Sequence, residues 1–200
     1  MTVLFESRGA RPRLDPDALV AASAIVSGDV TIGAGSRIMH GAVITAEDGP
    51  IVIGADVVVL ENAVIRGRAG YPVIIGDGVM IGPNAHVNGC VVGDGAFLAT
   101  GSSVFPGATI GDGAEVRINA VVQVNTRLGA GAVVPISWVA VGDPAQLFSP
   151  DRHDEIWAVQ RTLNFVGTVY GAGPEATMAD IMSSQSASYG EHRGDTALPD

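Results

Sequence analysis

Aliphatic residues recur every six positions through most of the chain. This spacing is neither the 3.6-residue period of a helix face nor the alternation of one long strand. It predicts short strands separated by turns, in a repeat that stacks into one continuous structure. The runs span 20–44, 53–65, 75–87 and 92–134, with a five-residue slip before the last run and Ala140 after it.

A second inward-facing position follows four residues after each of these aliphatics. Along the last run these residues are Ala96, Ser102, Ala108, Ala114, Ala120, Thr126, Ala132 and Trp138. A large residue at one position and a mostly small residue at the other suits three short strands that meet in a narrow triangle. Gly-Asp-Gly elements recur between them, where glycine adopts a positive φ at little cost. Three hexads make one coil, and Val20 to Ala140 should build roughly six or seven coils stacked about 4.8 Å apart.

The same pattern divides the chain into four segments. Residues 1–19 are an N-terminal segment, 20–148 are the repeat, 149–170 are a C-terminal helix packed on it, and 171–200 are a disordered tail. The helix is predicted by Ser149-Pro150-Asp151, which supplies an N-cap, a first-position proline and an acidic first turn. Its apolar stripe is Ile156, Val159, Leu163 and Val166. The tail is polar, with at most a short helical turn around 178–182.

Charge and composition exclude several classes of function. Eleven basic against 21 acidic residues give a net charge of −10, which argues against nucleic-acid or anionic-membrane partners. All the basic residues are arginine, so Schiff-base chemistry, a lysine base and a P-loop are excluded. The single cysteine, Cys90, is expected to be a small core residue. The chain begins without the basic and apolar regions of a signal peptide, so we expect a cytoplasmic protein.

The hexad pattern resembles the hexapeptide-repeat superfamily over about 120 residues of this chain. The resemblance implies an all-β fold, a left-handed parallel β-helix followed by a C-terminal α-helix. It implies no single activity, because this fold carries acyltransferases, γ-class carbonic anhydrases and inert assembly subunits.

Several stretches resemble the γ-class carbonic anhydrase branch of that superfamily. The most specific is the five-residue slip after Val87-Asn88-Gly89-Cys90, because unrelated hexapeptide proteins have no reason to shorten the coil there. The others are Gly28-Asp29-Val30-Thr31-Ile32-Gly33, Glu61-Asn62-Ala63-Val64-Ile65 and Val139-Ala140-Val141-Gly142-Asp143-Pro144-Ala145. In that family three histidines hold one zinc between adjacent subunits of a trimer.

The three positions at which the resemblance places those histidines hold Arg66, Pro83 and Asn88. Arginine stays charged, proline has no donor atom, and an amide oxygen binds Zn²⁺ weakly compared with imidazole. The neighbouring pattern also departs from the family, because Thr45-Ala46-Glu47 stands in place of Arg-Gly-Asp and Leu60 in place of glutamine. The resemblance thus implies the fold and a homotrimer without the usual zinc cage.

The remaining candidate site residues are His86, His40, Arg66, Arg68 and Asn88. His86 should project near the groove between subunits, where it could act as a catalytic base, whereas His40 lies in an early coil. Arg66 and Arg68 suit bidentate binding of a carboxylate or phosphate. The alternative for these two arginines is a salt bridge across the interface with Glu61 or Glu47 of a neighbouring subunit.

Three functional hypotheses remain open. The first is a trimer that binds a small anion or metabolite, or serves in assembly, with no cofactor and without efficient carbonic anhydrase activity. The second is an acyltransferase with His86 as base and acyl-coenzyme A bound along the coil edge, where only Arg117 and Arg127 could meet its phosphates. The third is residual hydratase or lyase chemistry with a metal relocated to His86 and Asn88.

We expect a homotrimer for a second reason besides the resemblance. A flat aliphatic side showing Val57, Val59, Ala63 and Ile65 to water should be covered by threefold closure.

Overall fold

A computed structural model describes residues 3–199, in which short β-strands wind into a left-handed β-helix that α-helices follow. Each turn contributes one strand to each of three sheets, called here the first, second and third sheets. The predicted all-β class and parallel β-helix are confirmed.

The strands are numbered in chain order. The first sheet contains β1 (Val3–Glu6), β4 (Ile25–Ser27), β7 (Val43–Ala46), β10 (Val64–Gly67), β13 (His86–Asn88), β16 (Ser103–Val104), β19 (Val121–Val122) and β22 (Val139–Val141). The second contains β2 (Arg13–Leu14), β5 (Val30–Ile32), β8 (Ile51–Ile53), β11 (Val73–Ile75), β14 (Val91–Val92), β17 (Thr109–Ile110) and β20 (Arg127–Leu128). The third contains β3 (Leu19–Val20), β6 (Arg37–Ile38), β9 (Val58–Val59), β12 (Met80–Ile81), β15 (Phe97–Leu98), β18 (Glu115–Val116) and β21 (Val133–Val134). Two antiparallel strands, β23 (Gln146–Phe148) on β22 and β24 (Thr196–Ala197) on β1, extend the first sheet at its two ends.

The strand register explains the irregularities of the hexad pattern. Ser103 pairs with Val121, so a regular turn is 18 residues long. His86 pairs with Ser103, so the turn containing the slip is one residue shorter. Val64 pairs with His86, so this turn is four residues longer than a regular one. The extra length arises because the residues after β10 loop outward through the Arg68–Tyr71 bridge before the next strand begins.

The first turn of the β-helix begins earlier than the sequence pattern indicates. Strands β1 and β2 lie within residues 3–19, the segment expected to stand apart, and they pair in parallel with β4 and β5. The hexad period is hidden there because a loop closed by the Ser7–Ala10 bridge interrupts it.

Both inward positions of the hexad fill the core. Val57, Val59, Ala63 and Ile65 are fully buried, so the expectation that they form a flat exposed side is wrong. They occupy the inward positions themselves. The exposed apolar residues near the third sheet instead include Met80, Phe97, Ile118 and Ile136. Cys90 is a core residue, and burial raises the pKa of its thiol to about 12.

The Gly-Asp-Gly elements form a ladder along the corner between the second and third sheets. Each aspartate accepts a hydrogen bond from a backbone N–H one turn earlier. The Asp77 N–H donates to Asp94 Oδ1 at 2.9 Å, and the Asp94 N–H donates to Asp112 Oδ1 at 3.2 Å. Glycine is required beside them, because a Cβ on Gly93 would lie 2.2 Å from the carboxylate of Asp112.

The region after the β-helix contains more helix than expected. Residues 149–170 hold two helices, α1 (His153–Gln160) and α2 (Phe165–Tyr170), where one was predicted. The break occurs at Asn164, which takes a left-handed φ of 52° and whose side chain accepts a hydrogen bond from the Gly167 N–H. The α1 residue Ile156 packs on Val141 and Phe148 as the apolar stripe predicts. Across residues 3–199, no helix is both long and apolar enough to cross a membrane.

The segment 171–200 differs from the expected disordered tail. Its described part contains α3 (Met178–Gly190), a 3₁₀ helix (Glu191–Gly194) and β24. Thr177 and Asp180 form a reciprocal capping box at the start of α3, and Ile181 is buried. The Thr-x-x-Asp signal was present in the sequence and explains why the helix begins there.

Candidate functional site

The candidate site begins with outward-facing side chains on the first sheet. Arg66 on β10 and Asn88 on β13 are paired in register, so they occupy matching positions in consecutive turns. His86 lies on β13, two residues before Asn88. Ile65 and Val87, the residues that alternate with them, point into the core. The sheet therefore holds Arg66, His86 and Asn88 on one outer surface.

Helices α2 and α3 border an open cavity of about 560 Å³ on this surface. We call it the sheet–helix cavity. Arg66, Arg68, His86, Asn88 and Phe105 line its sheet side, and its helix side includes Phe165, Val169, Met182 and Tyr189. The structure therefore brings together four of the five candidate residues.

Arg66 is only partly neutralised by its neighbours. Its Nη1 donates a hydrogen bond to the Tyr189 hydroxyl at 3.1 Å, and its guanidinium carbon lies 5.7 Å from the centroid of the same ring. Its Nε lies 3.8 Å from Glu47 Oε1 and is buried without a hydrogen-bond partner. The contact with Glu47 forms within one chain, whereas the sequence alternative placed it across an interface.

Arg68 adds a second positive charge to the cavity. No side-chain hydrogen bond or ion pair of Arg68 is found within residues 3–199. Its guanidinium is thus available to an anion that reaches the cavity.

His86 is neutral near pH 7. Burial is the main cause of a lowered pKa, and the charges of Arg66 and Arg68 lower the pKa further. Its ring lies 6.3 Å from the ring of Phe105. A neutral imidazole can donate or accept a hydrogen bond without adding to the positive charge.

Removing one nearby charge should move the titration of His86. We expect Arg66→Met to raise the pKa of His86 without restoring 6.5, because burial remains the larger cause. NMR titration of the imidazole C–H signals measures the change. The control is Arg117→Met, which removes an arginine outside this cavity and should leave His86 unchanged. Identical His86 titrations in the two variants would contradict this electrostatic coupling.

Asn88 is buried, with 4% of its surface exposed, and its Oδ1 lacks a hydrogen-bond partner. An unpaired buried carbonyl is costly. The sequence analysis included Asn88 as a ligand-equivalent position but gave no sign of this missing partner.

Two other candidate positions lie away from this cavity. His40 sits at a corner after β6, where its Nδ1 lies 2.9 Å from Ser23 Oγ. Pro83 follows β12 and lines a separate cavity of about 290 Å³ with Leu60, Phe97 and Ile118. Arg66 and Asn88 thus share a cavity that Pro83 does not reach within one chain.

These residues do not fit a zinc ion. Arg66 carries no free lone pair, proline has no donor, and Asn88 offers an amide. Across the described residues, no group of three or more His, Cys, Asp or Glu side chains could hold a metal.

The site contains residues that the sequence analysis missed. Phe105 follows β16 one turn beyond Asn88, and nothing in the hexad pattern distinguishes it from other outward residues. Phe165 and Tyr189 come from the helical region, and their position over the first sheet depends on tertiary packing.

His192 anchors the chain end beside this site. Its Nε2 lies 2.8 Å from Glu47 Oε2 and its Nδ1 lies 2.8 Å from Asp195 Oδ2. The hydrogen bond with Asp195 is the main cause of a raised pKa, and Glu47 raises the pKa further. Protonated His192 therefore stabilises the docked chain end.

Docking of the chain end should weaken at alkaline pH. Below 6.5 the imidazole is charged whether docked or free, so its contribution is complete, and it is lost as pH rises through the raised pKa. Hydrogen exchange over residues 191–199, corrected for intrinsic rates, should increase as the pH rises from 6.5 through the raised pKa of His192. In His192→Gln the increase should disappear, and an equal increase in both proteins would contradict the role of His192.

Sequence comparison relates the chain to hexapeptide proteins. Residues 72–106 match the family described as bacterial transferase hexapeptide (six repeats). Gamma carbonic anhydrase 2, mitochondrial, from Arabidopsis thaliana is 32% identical over 163 residues, covering 78% of this chain and 56% of that protein. A probable carbonic anhydrase from Methanocaldococcus jannaschii is 35% identical over 85 residues, covering 42% of this chain and 54% of that protein. The chain thus spans about half the length of these relatives.

Structural comparison supports the fold. A hexapeptide transferase family protein from Anaplasma phagocytophilum superimposes with a TM-score of 0.53 and 22% identity, covering 94% of this chain and 93% of that chain. At this identity the likeness concerns the β-helix and not its activity.

Proposed function

Because the chain is a γ-class carbonic anhydrase-like protein of the hexapeptide-repeat superfamily, with the zinc-ligand histidines absent, we propose that it binds a small anion in the sheet–helix cavity. We further propose that it acts as a homotrimer without efficient carbonic anhydrase activity. The observation that carries the proposal is the pair of guanidinium groups in one cavity, with Arg66 Nε lacking a hydrogen-bond partner and Arg68 without a carboxylate partner in the described chain.

Binding of simple anions to the full chain tests this proposal. Calorimetric titration with acetate, bicarbonate and phosphate should show binding of at least one, and Arg66→Met should weaken that binding by about tenfold or more, because a charge-assisted hydrogen bond is lost. Arg117→Met removes the same charge outside the cavity and should bind as the unmodified protein does. If none of the anions binds, or if both variants bind equally, the anion site is wrong.

The exposed apolar residues near the third sheet support the trimer. Phe97 and Ile136 remain 37% and 58% exposed, and Phe97 borders the cavity that also contains Pro83. A second copy covering this surface would bury it, as threefold closure requires. Analytical ultracentrifugation should give three chains per particle, and a stable monomer at micromolar concentration would count against the proposal.

The acyltransferase hypothesis has one observation in its favour, because a neutral His86 could serve as a base. However, Arg117 is paired with Glu115 and Arg127 with Asp143, so the late turns offer fewer free cations to coenzyme A phosphates. Turnover of acetyl-coenzyme A that is lost in His86→Ala would favour it over simple anion binding.

A further inference from the structure

Unpaired polar atoms form a row along the first sheet. Ser27, Thr45, Arg66 and Asn88 occupy register-matched positions in four consecutive turns. Each has a buried side-chain oxygen or nitrogen without a hydrogen-bond partner. Adjacent positions in such a row are about 4.8 Å apart, so one small molecule can contact two of them.

The two members that line the sheet–helix cavity have complementary chemistry. Arg66 offers a charged donor, and the amide of Asn88 can accept or donate. A carboxylate suits the first, and a hydroxyl group on the adjacent carbon suits the second. A ligand that carries only a carboxylate would leave Asn88 Oδ1 unpaired.

The helix side of the cavity is aromatic and apolar, and it meets Phe105 of the sheet side. The rings of Phe105 and Phe165 lie 5.8 Å apart at an angle of 51°, and Phe165 lies 6.3 Å from Tyr170. Val169 and Met182 complete the helix side. Aromatic rings prefer tilted partners at such distances, so the ring of a ligand can join these three. The volume of about 560 Å³ lies within the range of small-molecule sites.

The net charge of the side chains in the sheet–helix cavity favours a ligand with a single negative charge. Arg66 and Arg68 contribute two positive charges, whereas His86 is neutral. Glu47 lies 3.8 Å from Arg66 and offsets one of them, because the charge of its other partner, His192, is cancelled by Asp195. About one positive charge therefore remains for the ligand, which matches a single carboxylate better than a phosphate dianion.

We propose that the sheet–helix cavity binds a 2-hydroxycarboxylate with an aromatic side chain. The carboxylate contacts Arg66 and Arg68, the hydroxyl group contacts Asn88, and the ring packs against the edges of the Phe105 and Phe165 rings. This inference rests on the proposed function and names the class of anion that the same site would select.

Three probes separate the contributions of the ligand groups. Acetate has only the carboxylate, 3-phenylpropanoate adds the ring, and 3-phenyllactate adds the hydroxyl group. Calorimetry on the full chain should show affinity increasing about tenfold or more from acetate to 3-phenylpropanoate, and several-fold again to 3-phenyllactate.

Variants assign each gain to a residue. Phe165→Ala should remove most of the gain from the ring, whereas Trp157→Ala, an exposed aromatic on α1, should leave it intact. Asn88→Ala should remove the gain from the hydroxyl group. The ratio of two affinities in one variant does not depend on the fraction of protein that is folded, so partial misfolding does not obscure the result.

The outcomes distinguish this inference from the function on which it rests. Equal affinities for the three probes, lost together in Arg66→Met, would overturn the inference and leave anion binding standing. A hydroxyl gain that survives in Asn88→Ala would overturn the role of Asn88. If no probe or simple anion binds in an Arg66-dependent way, both proposals fail.

Discussion

Replacing Ala114 with leucine is expected to lower the free energy of unfolding by more than about 2 kcal/mol. Ala114 is completely buried at the small inward position of its hexad, between Ile110 and Val116. The same position one turn earlier holds Ala96, which is also buried. Three additional carbon atoms have no free volume to enter there, so neighbouring side chains must leave their preferred rotamers.

Denaturant unfolding at one fixed protein concentration measures this effect, because the stability of an oligomer depends on concentration. The matched control is Ala130→Leu, at an exposed position in a later turn, which should change stability by less than about 0.5 kcal/mol. Similar stabilities of the two variants would mean that the inward face has been assigned incorrectly.

The core could be predicted because the hexad encodes it locally. Positions such as Ile110 and Ala114 repeat in every turn, and their side chains can point only into a coil this narrow. The slip after Cys90 appears in the structure as a shorter turn between His86 and Ser103. Where loops interrupt the period, as near Ser7, the same pattern failed to reveal the first turn.

The candidate site could be predicted only in part. Arg66 and Asn88 come together because strand register places them in adjacent turns, and the repeat length is visible in the sequence. Phe165 and Tyr189 could not be assigned, because no local signal says which sheet their helices cover. The capping box at Thr177 predicts where a helix begins and not what surface it packs against.

The second large effect concerns zinc. We expect the unmodified protein to hydrate carbon dioxide at or near the background rate, because Arg66, Pro83 and Asn88 cannot supply three neutral or anionic zinc ligands. A zinc-bound water reaches a pKa of about 7, roughly nine units below free water, and no other group at these three positions provides that shift. Zinc-dependent hydration by the unmodified protein would show that these positions are aligned incorrectly.

Introducing histidine at all three positions tests the same alignment by asking whether zinc binding is gained. Arg66→His and Asn88→His place two imidazoles at paired positions of adjacent strands, whereas Pro83→His places the third at another corner. A complete cage therefore needs the third ligand from a neighbouring subunit. The triple variant should bind about one zinc per chain, and only as a trimer.

The double variant Arg66→His with Asn88→His is the matched control. It has two imidazoles in one cavity and should bind zinc far more weakly than the triple variant, because structural and catalytic zinc sites use three or four protein ligands. Metal analysis after dialysis, together with native mass, measures both quantities. Hydration activity should return only partly in the triple variant, because Thr45 and Leu60 leave the new ligands without the supporting hydrogen bonds that orient them. Equal zinc retention by the double and triple variants would show that residue 83 of a neighbouring subunit contributes no ligand. It would therefore contradict a trimer in which residue 83 of one subunit lies beside residues 66 and 88 of the next.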